Sequence, residues 1–522
     1  MKNAFIFLFS ILFTSPVAVS YGQGTEELAE SILRRLYAEA GRTDKPIPSL
    51  SISRENRKVA AYYPARHQIV LDEKAFENCR AMGRDFRDAL AFILSHELAH
   101  AFEPALSSEG TNFLVYGLRD NTSDTREKAA DIRGAFTAYL AGYRIEEVVP
   151  EVLERIYKAY GLWGKPTPGY PSFEERSNSV REVMDMARRL IAVFEAANYL
   201  TLLEYYEEAV ACNTFLLDYY QGREIYNNLG VLHVLHALQY YDEEYDRFAY
   251  PLELETASRL QELERQRGAG PLGPDERERR TALLQAALSY FHKALERDEG
   301  YLAAVGNLAC ALNLLGRPEE AMALLQNRGF IPEKANKPPN LEMAYAISCA
   351  LLKDKQKAGA AFSQLLDTSS PLYAQQAQYN LNTLEEQYAN ISSRPPLPLP
   401  VEAVRKGKAL ELSATGKPEP FMIHPESNLS LIPLQEGNQS SLSFWDATGP
   451  VVSLVRWKAA KDNSLPPLKF GPLSNQSSGW LSFPNILPAP DGFYIRSGRD
   501  GLLVKAGKDG QIEEIVRWIR HR

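Results

Sequence analysis

Between Phe86 and Phe102 the apolar side chains Leu90, Ile93, Leu94, Leu98 and Phe102 recur at intervals of three and four. That is the spacing of one helix face, so a helix is expected over 86–102. A second helix is expected over Thr125–Leu140, and His67–Asp72 reads as a strand before the first helix. From 186 to 390 the pattern stays helical and becomes repetitive. Leu308, Ala309 and Leu312 lead to Gly316, then Ala321 and Leu325. Tyr345 and Ala346 lead to Ala358 and Phe362. An earlier unit has Tyr226, Leu229 and Gly230 in one helix and Ala287, Phe291 and Ala294 in the next. Small residues at fixed positions let paired helices approach closely, and larger ones fill the next interface. The stretch Asp242–Arg280 is too long for a turn inside such a unit and reads as an insertion (242–280).

Residues 391–401 form a Pro-rich linker that is stiff and extended by composition. Beyond it, short β-prone segments such as Val451–Val455 and Gly501–Val504 alternate with Gly, Asn, Asp and Pro clusters. The expected fold class is therefore mainly α: an α+β domain over 25–185, a helical repeat region over 186–390 and a small β-rich domain over 402–522.

Composition narrows the setting. A chain of 522 residues allows about three domains, and 45% hydrophobic with 24% charged residues is an ordinary globular balance. The net charge of −8 and the lack of a basic domain argue against nucleic acid as a partner. At the N-terminus, Lys2, the apolar run Ala4–Phe13 and the small residues of Ala18-Val19-Ser20 read as a signal peptide over 1–20. An uncleaved anchor is the other reading. No later stretch is apolar enough for a transmembrane helix, so the expectation is an exported protein, periplasmic or secreted. Cys79, Cys212, Cys310 and Cys349 form no CxxC pair, and small buried thiols are the favoured reading.

The candidate chemistry lies in the two helices of the first domain. His96-Glu97-Leu98-Ala99-His100 places two imidazoles four residues apart on one helix face, where both can reach one zinc ion. Glu97 projects beside that metal and can take a proton from an activated water. Glu97 is also the one charged residue between Ile93 and Phe102, which suits a helix buried around a metal. In Glu127-Lys128-Ala129-Ala130-Asp131, Glu127 can supply a third ligand. Asp131, one turn on, can orient a ligating histidine. The other reading of this second segment is a solvated charged face, since Arg126, Lys128 and Arg133 are close by. His233 and His236 lie in a repeat helix, where three-residue spacing more often reflects packing than a metal site.

HELAH followed by EKAAD resembles the gluzincin pattern of the HtpX and CAAX-prenyl-protease family of zinc metallopeptidases. The repeats resemble tetratricopeptide repeats, with Lys353 standing where that repeat's turn glycine would be. A generic helical bundle is the alternative. Together they resemble the BepA-type exported members, in which a peptidase domain precedes such repeats. The resemblance covers about Ile52–Arg181 and 190–390. It implies a zincin-like domain with one zinc ion on His96, His100 and Glu127. Glu97 would be the base and Asp131 a supporting carboxylate. A weaker match, Tyr170-Pro171-Ser172-Phe173-Glu174-Glu175-Arg176, has Tyr170 where the family carries His. It implies that Arg176 or Tyr170 could donate to an oxyanion, the alternative being a helix-starting turn. The interval between the two zinc motifs is short for the family. The resemblance also places His67–Asp72 at the cleft edge, where an extended peptide could add. An interior strand is the bland alternative.

The activity so implied is zinc-dependent hydrolysis of peptide bonds, the repeats recruiting polypeptide substrates or a protein partner, as in envelope protein quality control. The rival is a non-catalytic scaffold or chaperone for envelope proteins with a vestigial metal site.

Overall fold

The computed structural model describes residues 25–55, 58–103, 113, 121–164, 171–254, 272–332, 334, 337–368, 371–385, 421–425, 429–436, 439–458, 486–489, 492–497, 501–507 and 512–521. The expected signal peptide, the Pro-rich stretch and Tyr170 lie outside the described residues. The chain is mainly helical, with an antiparallel sheet toward the C-terminus. No helix among the described residues is long and apolar enough to cross a membrane.

The chain divides into two compact units. One comprises residues up to Tyr37, Ile47–Ala130 and Ala141–Asn178; the other comprises Ala38–Pro46, Asp131–Leu140 and Ser179–Arg522. The stretch 25–185 is divided between them, since 38–46, 131–140 and 179–185 group with the second unit.

In the first unit, α1 (Thr25–Glu39) leads into a small sheet of β1 (Ser49–Ser53), β2 (Ala60–Tyr63) and β3 (Gln68–Asp72). The order is β1-β3-β2, with β1 parallel and β2 antiparallel to β3. The strand expected at 67–72 is thus central, paired on both sides, and does not form the cleft edge that the family resemblance implied. Among the described residues, β1 and β2 are the edges. After α2 (Glu73–Arg80) comes α3 (Phe86–Phe102), the helix expected from its apolar spacing. Every residue of α3 from Asp88 to Ala101 is buried. A helix apolar nearly all round must lie inside its unit, and α3 packs against α2, α5 (Ile145–Ala159) and β2. The start of α3 is tied to that of α5 by Asp88, whose Oδ1 accepts the Arg144 amide at 3.0 Å. Between them runs α4 (Asn121–Leu140), and α6 (Phe173–Leu202) follows.

The second unit stacks helical hairpins: α7 (Tyr206–Leu217) and α8 (Arg223–Ala237), then α9 (Pro274–Arg297), α10 (Leu302–Leu314), α11 (Pro318–Asn327), α12 (Pro339–Leu351), α13 (Lys355–Leu365) and α14 (Pro371–Leu384). Helix α9 begins at Pro274, before the expected end of the insertion at Arg280. The close packing expected of Gly230 is there: a Cβ at this position would lie 2.4 Å from the Phe291 ring. Gly316 adopts φ +71° between α10 and α11, and Lys353 adopts φ +66° at the matching place between α12 and α13. Both turns close the same way, Arg317 N–H on Leu312 O and Asp354 N–H on Cys349 O, each at 2.9 Å, the 6→1 bond of a helix ending in a left-handed residue. Cys79, Cys212, Cys310 and Cys349 are buried free thiols.

The C-terminal strands β4 (Phe421–His424), β5 (Leu429–Glu436), β6 (Gln439–Asp446), β7 (Gly449–Lys458), β8 (Ile486–Ala489), β9 (Gly492–Ser497), β10 (Leu502–Gly507) and β11 (Ile512–Arg520) form one antiparallel sheet. Its order is β4-β5-β6-β7-β11-β10-β9-β8. Two meanders meet where β7 pairs with β11. The sheet is pinned to α6 by polar pairs: Tyr199 Oη donates to Glu514 at 2.6 Å in a buried contact, and the partly buried Arg456 pairs with Glu195.

Candidate metal centre

Three side chains of the first unit converge: His96 and His100 from α3 and Glu127 from α4. The i, i+4 spacing puts both imidazoles on one side of α3, with their Nε2 atoms 3.2 Å apart. Glu127 Oε2 lies 3.3 Å from His96 Nε2 and 3.4 Å from His100 Nε2. This oxygen is buried and makes no hydrogen bond despite both nitrogens being near. Tetrahedral zinc with bonds of about 2.0–2.1 Å has ligand atoms about 3.3 Å apart. The observed triangle has that size, and two imidazoles with a carboxylate are a donor set zinc accepts. Among the described residues no other group of three metal-capable side chains comes together.

The electrostatics follow from this crowding. Burial opposes charge on His100, but the Glu103 and Glu127 carboxylates outweigh it and raise its pKa to about 9. Burial likewise opposes charge on Glu127, yet the imidazoles of His100 and His96 outweigh it and lower its pKa to about 2. The carboxylate is thus ionised at neutral pH, the state a metal ligand needs.

Glu97 sits on the same turn, fully buried. Its Oε2 accepts the backbone N–H of Tyr62 at 2.8 Å. That amide points away from β3, on the outer side of β2. On the same side, the Ala60 carbonyl accepts the Phe113 N–H at 3.2 Å. The edge strand nearest the centre is therefore β2, already engaged by Glu97 and by Phe113.

Four contributors were not singled out in the sequence. Glu103 Oε2 stands 3.6 Å from His100 Nδ1, the ring nitrogen turned away from the triangle, and Arg126 holds that carboxylate at 3.1 Å. A carboxylate three residues past the second histidine was a readable signal for this role. Phe113 packs its ring edge-on to His96, centroids 5.2 Å apart. The Tyr62 amide is the fourth. Asp131 is buried one turn beyond Glu127 on α4.

Arg176, fully buried, lies with its guanidinium 5.6 Å from the centre of the Phe113 ring. Phe113 thus touches both Arg176 and His96. The helix-starting turn is also present: Ser172 N–H donates to Glu175 Oε2 at 2.7 Å and Glu175 N–H to Ser172 Oγ at 3.2 Å. This reciprocal pair is a capping box. His233 and His236 sit in α8 without a third metal-capable partner among the described residues; His233 stacks on Tyr290 with ring centroids 5.3 Å apart.

In comparisons with known proteins, no family model matches the chain and no curated protein matches it.

Proposed function

We propose that the chain is an exported zinc-dependent metalloendopeptidase of gluzincin type, with His96, His100 and Glu127 as ligands of one zinc ion. The observation that carries the reading is the 3.2–3.4 Å triangle of His96, His100 and Glu127, with Glu97 buried on the same helical turn and held by the Tyr62 amide. A zinc ion on these ligands would supply Lewis-acid activation of water and of a scissile carbonyl. Glu97 is the group assigned to take a proton from water and return it to the leaving amine. Its hydrogen bond to the Tyr62 amide fixes where that carboxylate stands.

The remaining residues position and shield. Glu103, anchored by Arg126, stands 3.6 Å from His100 Nδ1, where its charge favours a proton on that nitrogen and so leaves Nε2 to face the metal. Phe113 covers the flank of His96 and excludes water there. Arg176 packs its guanidinium on the Phe113 ring that touches His96, and is the group assigned to favour negative charge developing at the centre. Asp131, buried one turn beyond Glu127, is the carboxylate assigned to orient a ligating histidine. The stacked hairpins of the second unit, read as tetratricopeptide repeats, recruit the polypeptide substrate, in keeping with a role in envelope protein quality control.

The test is direct. The purified protein is expected to carry one zinc per chain by elemental analysis and to digest casein. Glu97→Gln is expected to keep the zinc and lose the digestion. Full activity in that variant sinks the assignment, as does a protein that takes up no metal.

A further inference from the structure

The segment Arg247–Leu254, inside the insertion, has no helix or strand of its own. It runs along the hairpin stack, held by side chains from α8, α10, α12 and α14. Asn380 of α14 grips Ala249 with both ends of its amide: Oδ1 accepts the Ala249 N–H at 2.7 Å and Nδ2 donates to the Ala249 carbonyl at 2.9 Å. Asn307 of α10 grips Glu253 in the same way, at 2.8 and 2.7 Å. Asn227 of α8 donates to the same Glu253 carbonyl at 2.9 Å and accepts from Asn307 at 2.8 Å.

Asn227, Asn307 and Asn380 are fully buried. A buried amide in a helix interior weakens packing unless it is hydrogen-bonded. Here the bonds go to the main chain of a non-helical segment, which any sequence would present. The segment's side chains do the rest. Phe248, Tyr250, Pro251, Leu252 and Leu254 are buried, while Ala249 and Glu253 are only partly so, and the Leu252 N–H closes on the Tyr250 carbonyl at 3.0 Å, a tight turn at Pro251. Main-chain bonds combined with pockets for alternate side chains are how a protein reads an extended peptide. One polar position is also read: the Glu253 carboxylate accepts from Asn340 Nδ2 at 3.1 Å and from the Tyr373 hydroxyl. At the entrance, Asp246 forms a buried ion pair with Arg280 of α9 at 2.8 Å.

We propose that the face formed by α8, α10, α12 and α14 is a groove for a non-helical polypeptide segment, and that Arg247–Leu254 is its resident ligand in cis. The partner in trans is a non-helical segment with the apolar pattern Phe-x-Tyr-Pro-Leu and an acidic residue before a final leucine. It competes with the resident segment for the same asparagines. The Asp246–Arg280 pair keeps the resident segment tethered at the groove entrance. The inference stands apart from the metal centre, because its test reads peptide binding and no catalytic activity.

The test uses the full chain with residues 247–254 replaced by a Gly/Ser sequence of equal length. The probe is a fluorescein-labelled synthetic peptide, Asp-Arg-Phe-Ala-Tyr-Pro-Leu-Glu-Leu, followed by anisotropy. The replaced chain is expected to bind it at least about tenfold more tightly than the unaltered chain, and adding Asn307→Ala to the replaced chain is expected to weaken binding about tenfold. A peptide with Lys in place of the Glu is expected to bind about tenfold more weakly to the replaced chain. Equal affinity of replaced and unaltered chains overturns the proposal, as does indifference to Asn307→Ala. If the replaced chain melts early, the peptide added in trans is expected to raise its melting temperature. No rise overturns the proposal equally, because the segment is then an integral part of the fold and not a ligand.

Discussion

The Tyr62 amide donates to Glu97 Oε2 across 2.8 Å, joining the outer side of β2 to the buried helix α3. The bond has a consequence for stability that is separable from catalysis. Glu97→Gln keeps an oxygen that can accept the Tyr62 N–H, whereas Glu97→Ala strands that donor inside the unit. A buried donor left without an acceptor costs about 1–3 kcal/mol. In denaturant unfolding of the metal-free proteins, Glu97→Ala is expected to lose that much relative to Glu97→Gln. Coincident unfolding curves for the two variants would show that the bond contributes nothing.

Glu103 gives a second prediction, on metal affinity. It faces His100 Nδ1 and is itself held by Arg126. A partner of this kind fixes the ring's orientation and makes the opposite nitrogen a better ligand, and its loss typically costs about 10–100-fold in metal affinity. Glu103→Gln is expected to give up zinc to a competing chelator at correspondingly lower chelator concentration. Its fold should be intact by circular dichroism. An unchanged chelator midpoint would remove Glu103 from the site.

How much of this was legible in the sequence depends on how local each relationship is. The His96 and His100 pair is set by spacing along one helix, so both imidazoles lie on one side of α3. Glu103 caps the end of the same helix, three residues past His100, and could have been read from the same spacing. The Tyr62 amide could not, because every residue carries one and only the path of β2 selects this one. Phe113 reaches His96 from a stretch with no periodic pattern. The resident segment was hidden for a related reason. Phe248, Tyr250, Leu252 and Leu254 alternate like a strand, but their main chain is bound by asparagine side chains 54 and 131 residues away in sequence. Within the repeats, Lys353 looked like a departure from the turn glycine. The structure keeps the left-handed backbone there and places a lysine in it.

That placement predicts a stabilising substitution. A residue with a Cβ at φ +66° is strained, and glycine is not. Lys353→Gly is expected to stabilise the second unit by about 1 kcal/mol, seen as a higher melting temperature. The converse holds at Gly316, where φ is +71° and an added Cβ would lie 2.7 Å from the Tyr245 hydroxyl. Gly316→Ala is expected to lower the melting temperature by more than Lys353→Gly raises it. A fall in both variants would mean that the lysine side chain, and not the backbone, decides the turn at 353.

His233 predicts how the second unit responds to acid. Burial, with the neighbouring His236 adding to it, pushes the His233 pKa down to about 4, and the ring stacks on Tyr290 at an interplanar angle of 11°. An unfolded histidine titrates near 6.5, so between about pH 6.5 and pH 4 the unfolded chain binds the proton that the folded chain refuses. Stability contributed by the neutral ring is therefore complete above pH 6.5. It falls as the pH drops through that window, and is fully lost below about 4. The upper bound is on the order of 3 kcal/mol, at 1.36 kcal/mol per pKa unit. His233→Phe keeps a flat ring against Tyr290 and removes the proton site. Its denaturation midpoint is expected to change less between pH 7 and pH 4 than that of the unaltered chain. Parallel pH profiles for the two proteins would place the acid sensitivity elsewhere.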